Sequence, residues 1–217
     1  MKRTWITTTD GSKSLYVSEL DETYHSRHGA VTESMHVFIT NGLDLLQAQQ
    51  HIRILEVGFG TGINALLTLQ NAGSRSINYE ALEPYPLTEQ EWAELDAPLF
   101  ERAEKVDFAS LSHGGDIDLS PTFNLKIIPQ TLQDAHFTGP YHLVYYDAFG
   151  PGAQPEMWLP QCFQKVYDAM ENNGIFVTYC AKGQVRRDLI SCGFQVERLP
   201  GPPGKREMLR ATKVIHG

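Results

Sequence analysis

Three glycines at alternate positions, Gly58, Gly60 and Gly62, separate an apolar run from a helix-forming run. The run before them, His51-Ile52-Arg53-Ile54-Leu55-Glu56-Val57, has the β-branched, apolar make-up of a buried strand. Residues 63–72 behind them carry a helical pattern. Glycines let the backbone turn tightly there and let a ligand come close to it. The spacing is not the G-x-G-x-x-G of dinucleotide folds, and no Gly-Lys-Ser/Thr follows to make a P-loop. Open α/β sheets hold ligands at the carboxyl ends of their strands, so this turn is either a binding site or a purely structural strand-to-helix turn.

The alternation continues downstream. Residues 77–83, 125–128, 143–147 and 174–179 read as further strands, and 88–95, 97–107, 157–170 and 183–191 as helices. Residues 194–199 and 205–212 read as two strands around a Gly-Pro-Pro-Gly turn. This predicts an α/β fold with a Rossmann-like, mostly parallel sheet and an antiparallel edge strand. Upstream, residues 5–8 and 14–17 read as a hairpin about Asp10-Gly11-Ser12, and 34–50 as a helix. The Gly-, Asp- and Ser-rich residues 110–123 read as a loop. The 217 residues suit a single domain, with 1–50 an N-terminal extension contributing to the substrate site and 51–217 the Rossmann-like core.

Composition excludes some functions. No stretch nears the roughly 20 apolar residues of a membrane span. No apolar run follows Met1-Lys2-Arg3-Thr4-Trp5, so no signal peptide is expected. Cys162, Cys180 and Cys192 form no metal motif and fit reduced thiols in a cytoplasmic protein. The net charge of −8 is unevenly spread. From residue 180 onward eight Lys/Arg face three acids, a local +5. Such a segment is either a solvated surface or a phosphate-binding face.

Three polar residues at strand ends carry the chemistry. Glu83 closes the second core strand, where a carboxylate can accept hydrogen bonds from both hydroxyls of a ribose. Gln130 stands after the third strand, where its carbonyl oxygen can accept from an adenine amino group. Asp147 ends the fourth strand beside Ala148-Phe149-Gly150-Pro151. Methyl transfer to an alkylamine needs a free lone pair, and such amines carry a proton at neutral pH, with a pKa of about 10. Asp147 can hold the amine and accept that proton.

An acid on the first strand followed by G-x-G-x-G resembles the class I methyltransferase signature. Longer stretches resemble the methyltransferase domain of the MnmC family. They include Asp21-Glu22-Thr23-Tyr24-His25-Ser26, Glu33-Ser34-Met35-His36-Val37-Phe38 and Val57 to Asn64. Further on come Glu83-Pro84-Tyr85-Pro86-Leu87-Thr88, Asp147-Ala148-Phe149-Gly150-Pro151 and Pro155-Glu156-Met157-Trp158. Val185-Arg186-Arg187, Cys192-Gly193-Phe194 and Gly204-Lys205-Arg206-Glu207-Met208-Leu209 complete the set. The resemblance implies N-methylation of the 5-aminomethyl group of the wobble uridine in a tRNA anticodon loop. It implies S-adenosyl-L-methionine held by Glu56, Gly58, Gly60, Gly62, Asn64, Glu83, Gln130 and Asp147, with Asp147 at the reacting centre. Tyr24, Phe149, Trp158, Lys205 and Arg206 would shape the substrate side, with Arg186 and Arg187 near phosphate; Tyr24 and Trp158 read equally well as packing residues. No second G-x-G-x-x-G domain for FAD is present, and neither a metal, a membrane nor an obligate protein partner is expected.

Other readings remain at this stage: a small-molecule amine methyltransferase, an aminopropyltransferase of the spermidine synthase type, and an RNA-binding module without activity. An aminopropyltransferase should carry a paired-acid, Gly-rich signature, which is missing.

Overall fold

The computed structural model describes residues 2–8, 11, 13–24, 29–95 and 113–214. The N-terminal hairpin forms as read: β1 (Arg3–Thr7) pairs antiparallel with β2 (Lys13–Val17), and β3 (Glu22–Thr23) adds to it. The helix expected over 34–50 is broken into three pieces. These are α1 (Ala30–Ser34), a π-helical turn (Met35–Thr40) and a 3-10 turn (Leu43–Leu46). Asn41 donates its side-chain amide to the His36 carbonyl at 2.7 Å and closes the wide turn. Gly42 then packs so tightly that a Cβ would clash with the Phe38 carbonyl oxygen.

The core proceeds through β4 (His51–Val57), α2 (Ile63–Asn71), β5 (Ser76–Leu82), α3 (Glu89–Glu94), β6 (Asp116–Ser120) and β7 (Phe123–Ile128). Then come β8 (Tyr141–Tyr146), α4 (Pro160–Asp168), β9 (Met170–Thr178), α5 (Gly183–Ser191), β10 (Phe194–Pro200) and β11 (Glu207–Lys213). One eight-stranded sheet has the order β10-β11-β9-β8-β4-β5-β7-β6. Its middle strands run parallel, and β11 closes antiparallel on β9, as the C-terminal hairpin predicted.

Two further local readings need correction. Part of the loop placed at 110–123 is an edge strand, β6, paired antiparallel with β7. Its Ile117 and Leu119 lean on the core, while Asp116 and Asp118 accept from the Asn124 amide at 2.5 and 2.9 Å. The acidic outer face hid the alternation. The helix read at 157–170 is a 3-10 turn, Pro155–Trp158, followed by α4, because Pro160 starts a new helix at a position where it needs no amide hydrogen. Met170 already belongs to β9. The helix read at 97–107 lies outside the described residues.

Alternate residues along β4 feed opposite faces of the sheet. Ile52 and Ile54 join one core with α2 and the 30–46 segment. Leu55 and Val57 join the other with α4 and α5. Helices on both faces make the sheet doubly wound. Ile54 and Leu55 are wholly buried, so truncating either to Ala would cost about 2–5 kcal/mol. At the carboxyl edge the ladder extends past the strands. The Gly58 amide donates to Leu82 at 3.0 Å and the Asp147 amide to Val57 at 2.9 Å. These bonds pull Gly58, Glu83 and Asp147 to one edge.

Candidate functional site

A cavity of about 570 Å³ opens at that edge, a size typical of small-molecule sites. Gly58, Gly60, Glu83, Gln130 and Asp147 line it on the sheet side. Tyr24, Glu33, Phe149, Tyr179 and Lys205 line it elsewhere. The N-terminal extension thus contributes wall to the cavity. Arg3 in β1 anchors that extension. It donates to Glu91 at 2.8 Å, to the carbonyl of Pro86 at 3.3 Å and to that of Tyr85.

The glycine turn is tight, as its spacing implies. Gly58 and Gly60 have φ of +92° and +54°, in the left-handed region. A Cβ on Gly58 would meet the Asp147 carbonyl oxygen at 2.7 Å, and one on Gly60 would meet the Tyr24 ring at 2.7 Å. Glu83 sits beside the turn and is 8% exposed. Its carboxylate accepts from the Gly60 amide at 2.9 Å and the Tyr85 amide at 3.0 Å. Burial pushes its pKa up, and the backbone donors and nearby Arg3 oppose that. A carboxylate has about four acceptor positions, so Glu83 keeps capacity for a further hydrogen bond.

Asp147 lies just past β8. Its carboxylate accepts from the Asn64 amide at 2.8 Å. Burial pushes its pKa up to about 8, Glu33 adds to the rise, and Asn64 and Lys205 work against it. Tyr24 packs edge-on against Phe149 with ring centroids 5.1 Å apart, and both line the cavity. Lys205 pairs with Glu33, and its ammonium lies 4.0 Å from the centroid of the Tyr179 ring. Among the described lining residues five are acids (Glu22, Glu33, Glu83, Asp147 and Glu156) and one, Lys205, is basic. This cavity suits cationic ligands.

Several residues named from the sequence stand elsewhere. Glu56 and Asn64 lie behind the cavity wall, buried and hydrogen-bonded to each other at 2.7 Å. Gly62 caps α2, where its φ of +73° starts the helix. Trp158 is 5% exposed and packs among Tyr146, Phe163 and Tyr179. Its indole donates to the Phe149 carbonyl at 2.8 Å, so it supports the wall from behind. Gln130 is exposed at the rim. Arg186 and Arg187 on α5 and Arg206 in the β10–β11 turn do not line the cavity. Arg186 is half-buried, and Arg187 and Arg206 are exposed. Part of the basic surface is neutralised across the hairpin, by Arg198–Glu207 at 3.7 Å and Arg210–Glu197 at 3.0 Å.

Sequence reasoning passed over Glu33 and Tyr179 as single residues. Glu33 was visible only inside a longer stretch of resemblance, and its lysine partner lies 172 positions away. Tyr179 read only as the last residue of the strand over 174–179. The three cysteines are free and buried. No helix among the described residues is long and apolar enough to cross a membrane.

Comparison with known proteins accords with this geometry. A family model described as S-adenosyl-L-methionine-dependent methyltransferase matches residues 120–214. The chain is 32% identical to the tRNA 5-methylaminomethyl-2-thiouridine biosynthesis bifunctional protein MnmC of Nitrosospira multiformis, over 90% of this chain and 35% of that protein. It is 33% identical to the MnmC of Pseudoalteromonas atlantica, over 88% of this chain and 31% of that one. The chain thus spans about a third of the length of these curated relatives. The crystal structure of MnmC2 from Aquifex aeolicus superposes with a TM-score of 0.78 at 25% identity, covering 99% of this chain and 72% of that one. A SAM-dependent O-methyltransferase from Thermotoga maritima, 16% identical, shares the fold with a TM-score of 0.50, over 99% of this chain and 78% of that one. With β4, β5 and β8 meeting at the cavity as they do, the chain is similar over about 90% of its length to part of the MnmC proteins, and over residues 120–214 to the S-adenosyl-L-methionine-dependent methyltransferase family.

Proposed function

We propose that this protein transfers a methyl group from S-adenosyl-L-methionine to the 5-aminomethyl nitrogen of the wobble uridine in tRNA. The product is 5-methylaminomethyl-(2-thio)uridine. The observation that carries the reading is the acid-rich cavity at the sheet's carboxyl edge, with Asp147 in its wall. Both the cofactor's sulfonium and a protonated aminomethyl group are cations, and each gains from carboxylates in a site shielded from water. The MnmC names of the relatives supply the substrate class.

When bound, S-adenosyl-L-methionine supplies an electrophilic methyl group. Glu83 is the residue we assign to the ribose hydroxyls, with Gly58 and Gly60 giving room for the ligand against the backbone. Gln130, at the rim, is our candidate for the adenine contact. Asp147 holds the substrate amine through a hydrogen bond and takes its proton, which frees the lone pair. Tyr24 and Phe149 offer ring surface for a base drawn out of the anticodon loop. Arg187 and Arg206, exposed outside the cavity, are our candidates for phosphate contacts, and Arg186 for support beside them. Residues 1–50 belong to the same functional unit as 51–217, since Tyr24 and Glu33 line the cavity. The setting is the cytoplasm, where tRNA is modified.

The test offers three acceptors with labelled cofactor: tRNA bearing 5-aminomethyluridine, tRNA lacking it, and free small amines. Transfer to the first alone is expected. Transfer to small amines, unaffected by salt, would point instead to a small-molecule amine methyltransferase, because phosphate-driven binding weakens steeply with salt.

A further inference from the structure

One amide bridges two acids in the wall behind Asp147. Asn64, on the first turn of α2, donates from its Nδ2 to Glu56 Oε1 at 2.7 Å and to Asp147 Oδ2 at 2.8 Å. Both of its protons are therefore spent on carboxylates. The second oxygen of Glu56 accepts from the Tyr79 hydroxyl at 2.9 Å. Asn64 is 2% exposed, while Glu56 and Tyr79 are wholly buried. A hydrogen-bonded chain thus runs from Tyr79 through Glu56 and Asn64 to Asp147 at the cavity. Asn64 Oδ1 is buried with no hydrogen-bond partner. Leaving a buried carbonyl unpaired is costly, so the two donated bonds decide how this amide is turned.

We propose that Asn64 is a positioning residue for the transfer: braced by Glu56, its amide holds Asp147 Oδ2 and leaves Oδ1 turned to the substrate amine. The proposal rests on the role given to Asp147 above. A donor to the ionised form favours that form, while burial disfavours it. The charged and titratable groups around Asp147 come from several elements. Glu56 and Tyr79 stand behind Asn64 on β4 and β5, Glu33 on α1, Tyr179 after β9 and Lys205 in the β10–β11 turn. Glu33 opposes ionisation of Asp147 and Lys205 favours it. Asn64 makes the one hydrogen bond described to this carboxylate. A merely structural amide would matter for stability and leave the titration of Asp147 alone.

The test reads Asp147 directly, by carbon-13 NMR titration of side-chain carboxyls in the protein alone, with its resonance assigned by its loss in Asp147→Asn. Asn64→Ala is expected to move the Asp147 titration upward by about one pH unit, the size of a charged hydrogen bond. The acid limb of kcat/KM should move with it, so that the loss of activity shrinks as pH rises. Asn64→Ser, too short to span both acids, serves if the alanine variant does not fold. A lower melting temperature with an unmoved Asp147 titration in these variants would overturn the proposal. Failure of the wild-type protein to methylate any tRNA is a separate outcome. It sinks the tRNA reading, whereas the titration decides the role of Asn64.

Discussion

The Lys205 ammonium lies 4.0 Å from the centre of the Tyr179 ring and is paired with Glu33 at the same time. A cation over an aromatic face and against a carboxylate has its charge satisfied twice. Lys205 therefore faces the cavity, and its neighbour Arg206 faces solvent. The two should behave differently. Arg206→Ala is expected to raise KM for tRNA at low salt, with a difference that fades at high salt and a salt slope lower by about one. Lys205→Met should lower kcat at every salt concentration. Equal salt dependence for both variants would return Lys205 to the RNA-facing surface.

Glu83 holds the backbone of the glycine turn and keeps acceptor capacity to spare. Glu83→Ala should weaken cofactor binding by about 1.5–3 kcal/mol, the range for hydrogen bonds to a charged group. Calorimetric titration with S-adenosyl-L-methionine checks this. An unchanged dissociation constant would remove Glu83 from the ribose.

Gly60 has both a left-handed backbone and the Tyr24 ring where a side chain would go. Gly60→Ala should abolish cofactor binding. Adding Tyr24→Ala removes the steric part and leaves the backbone strain, so binding should return only in part. A double-mutant cycle in cofactor affinity measures the coupling. Additive effects would mean that Tyr24 does not close over the turn in solution.

The pH dependence follows from Asp147. Its folded pKa, about 8, lies above the ordinary value of 3.8. The folded state thus binds more protons than the unfolded chain between these limits, and this residue's contribution to stability falls as pH rises. Activity runs the other way, since the amine needs an ionised partner, and kcat/KM should rise through about pH 8. Asp147→Asn should lose turnover. Its melting temperature should gain on the wild type between pH 6 and pH 9, a window chosen about that pKa. Parallel melting curves across that range would contradict the raised pKa.

Much of this was legible in the sequence because it is local. The Gly58–Gly62 turn, the strand before it and the strand-end acids Glu83 and Asp147 are set by short-range patterns, and the cavity forms where they meet. Contacts between distant segments were not legible. Nothing near residue 64 announces that Asn64 would meet Asp147, 83 positions on, and the residue read as a cofactor contact. Trp158 read equally as substrate wall or packing residue, because an aromatic residue near a site looks the same whether it faces the ligand or the core; the bond from its indole to Phe149 decides for the core. Clustered Lys/Arg near the C-terminus read as one basic face, yet cross-strand acids pair with Arg198 and Arg210. The edge strand β6 was missed because its outward acids carry the composition of a loop.

The most direct test of the account is nucleoside mass analysis of tRNA bearing 5-aminomethyluridine after incubation with the protein and labelled S-adenosyl-L-methionine. The account predicts label in 5-methylaminomethyluridine at the wobble position with the wild-type chain, and none with Asp147→Asn. Label on another nucleoside, or undiminished transfer by the Asp147→Asn variant, would contradict it.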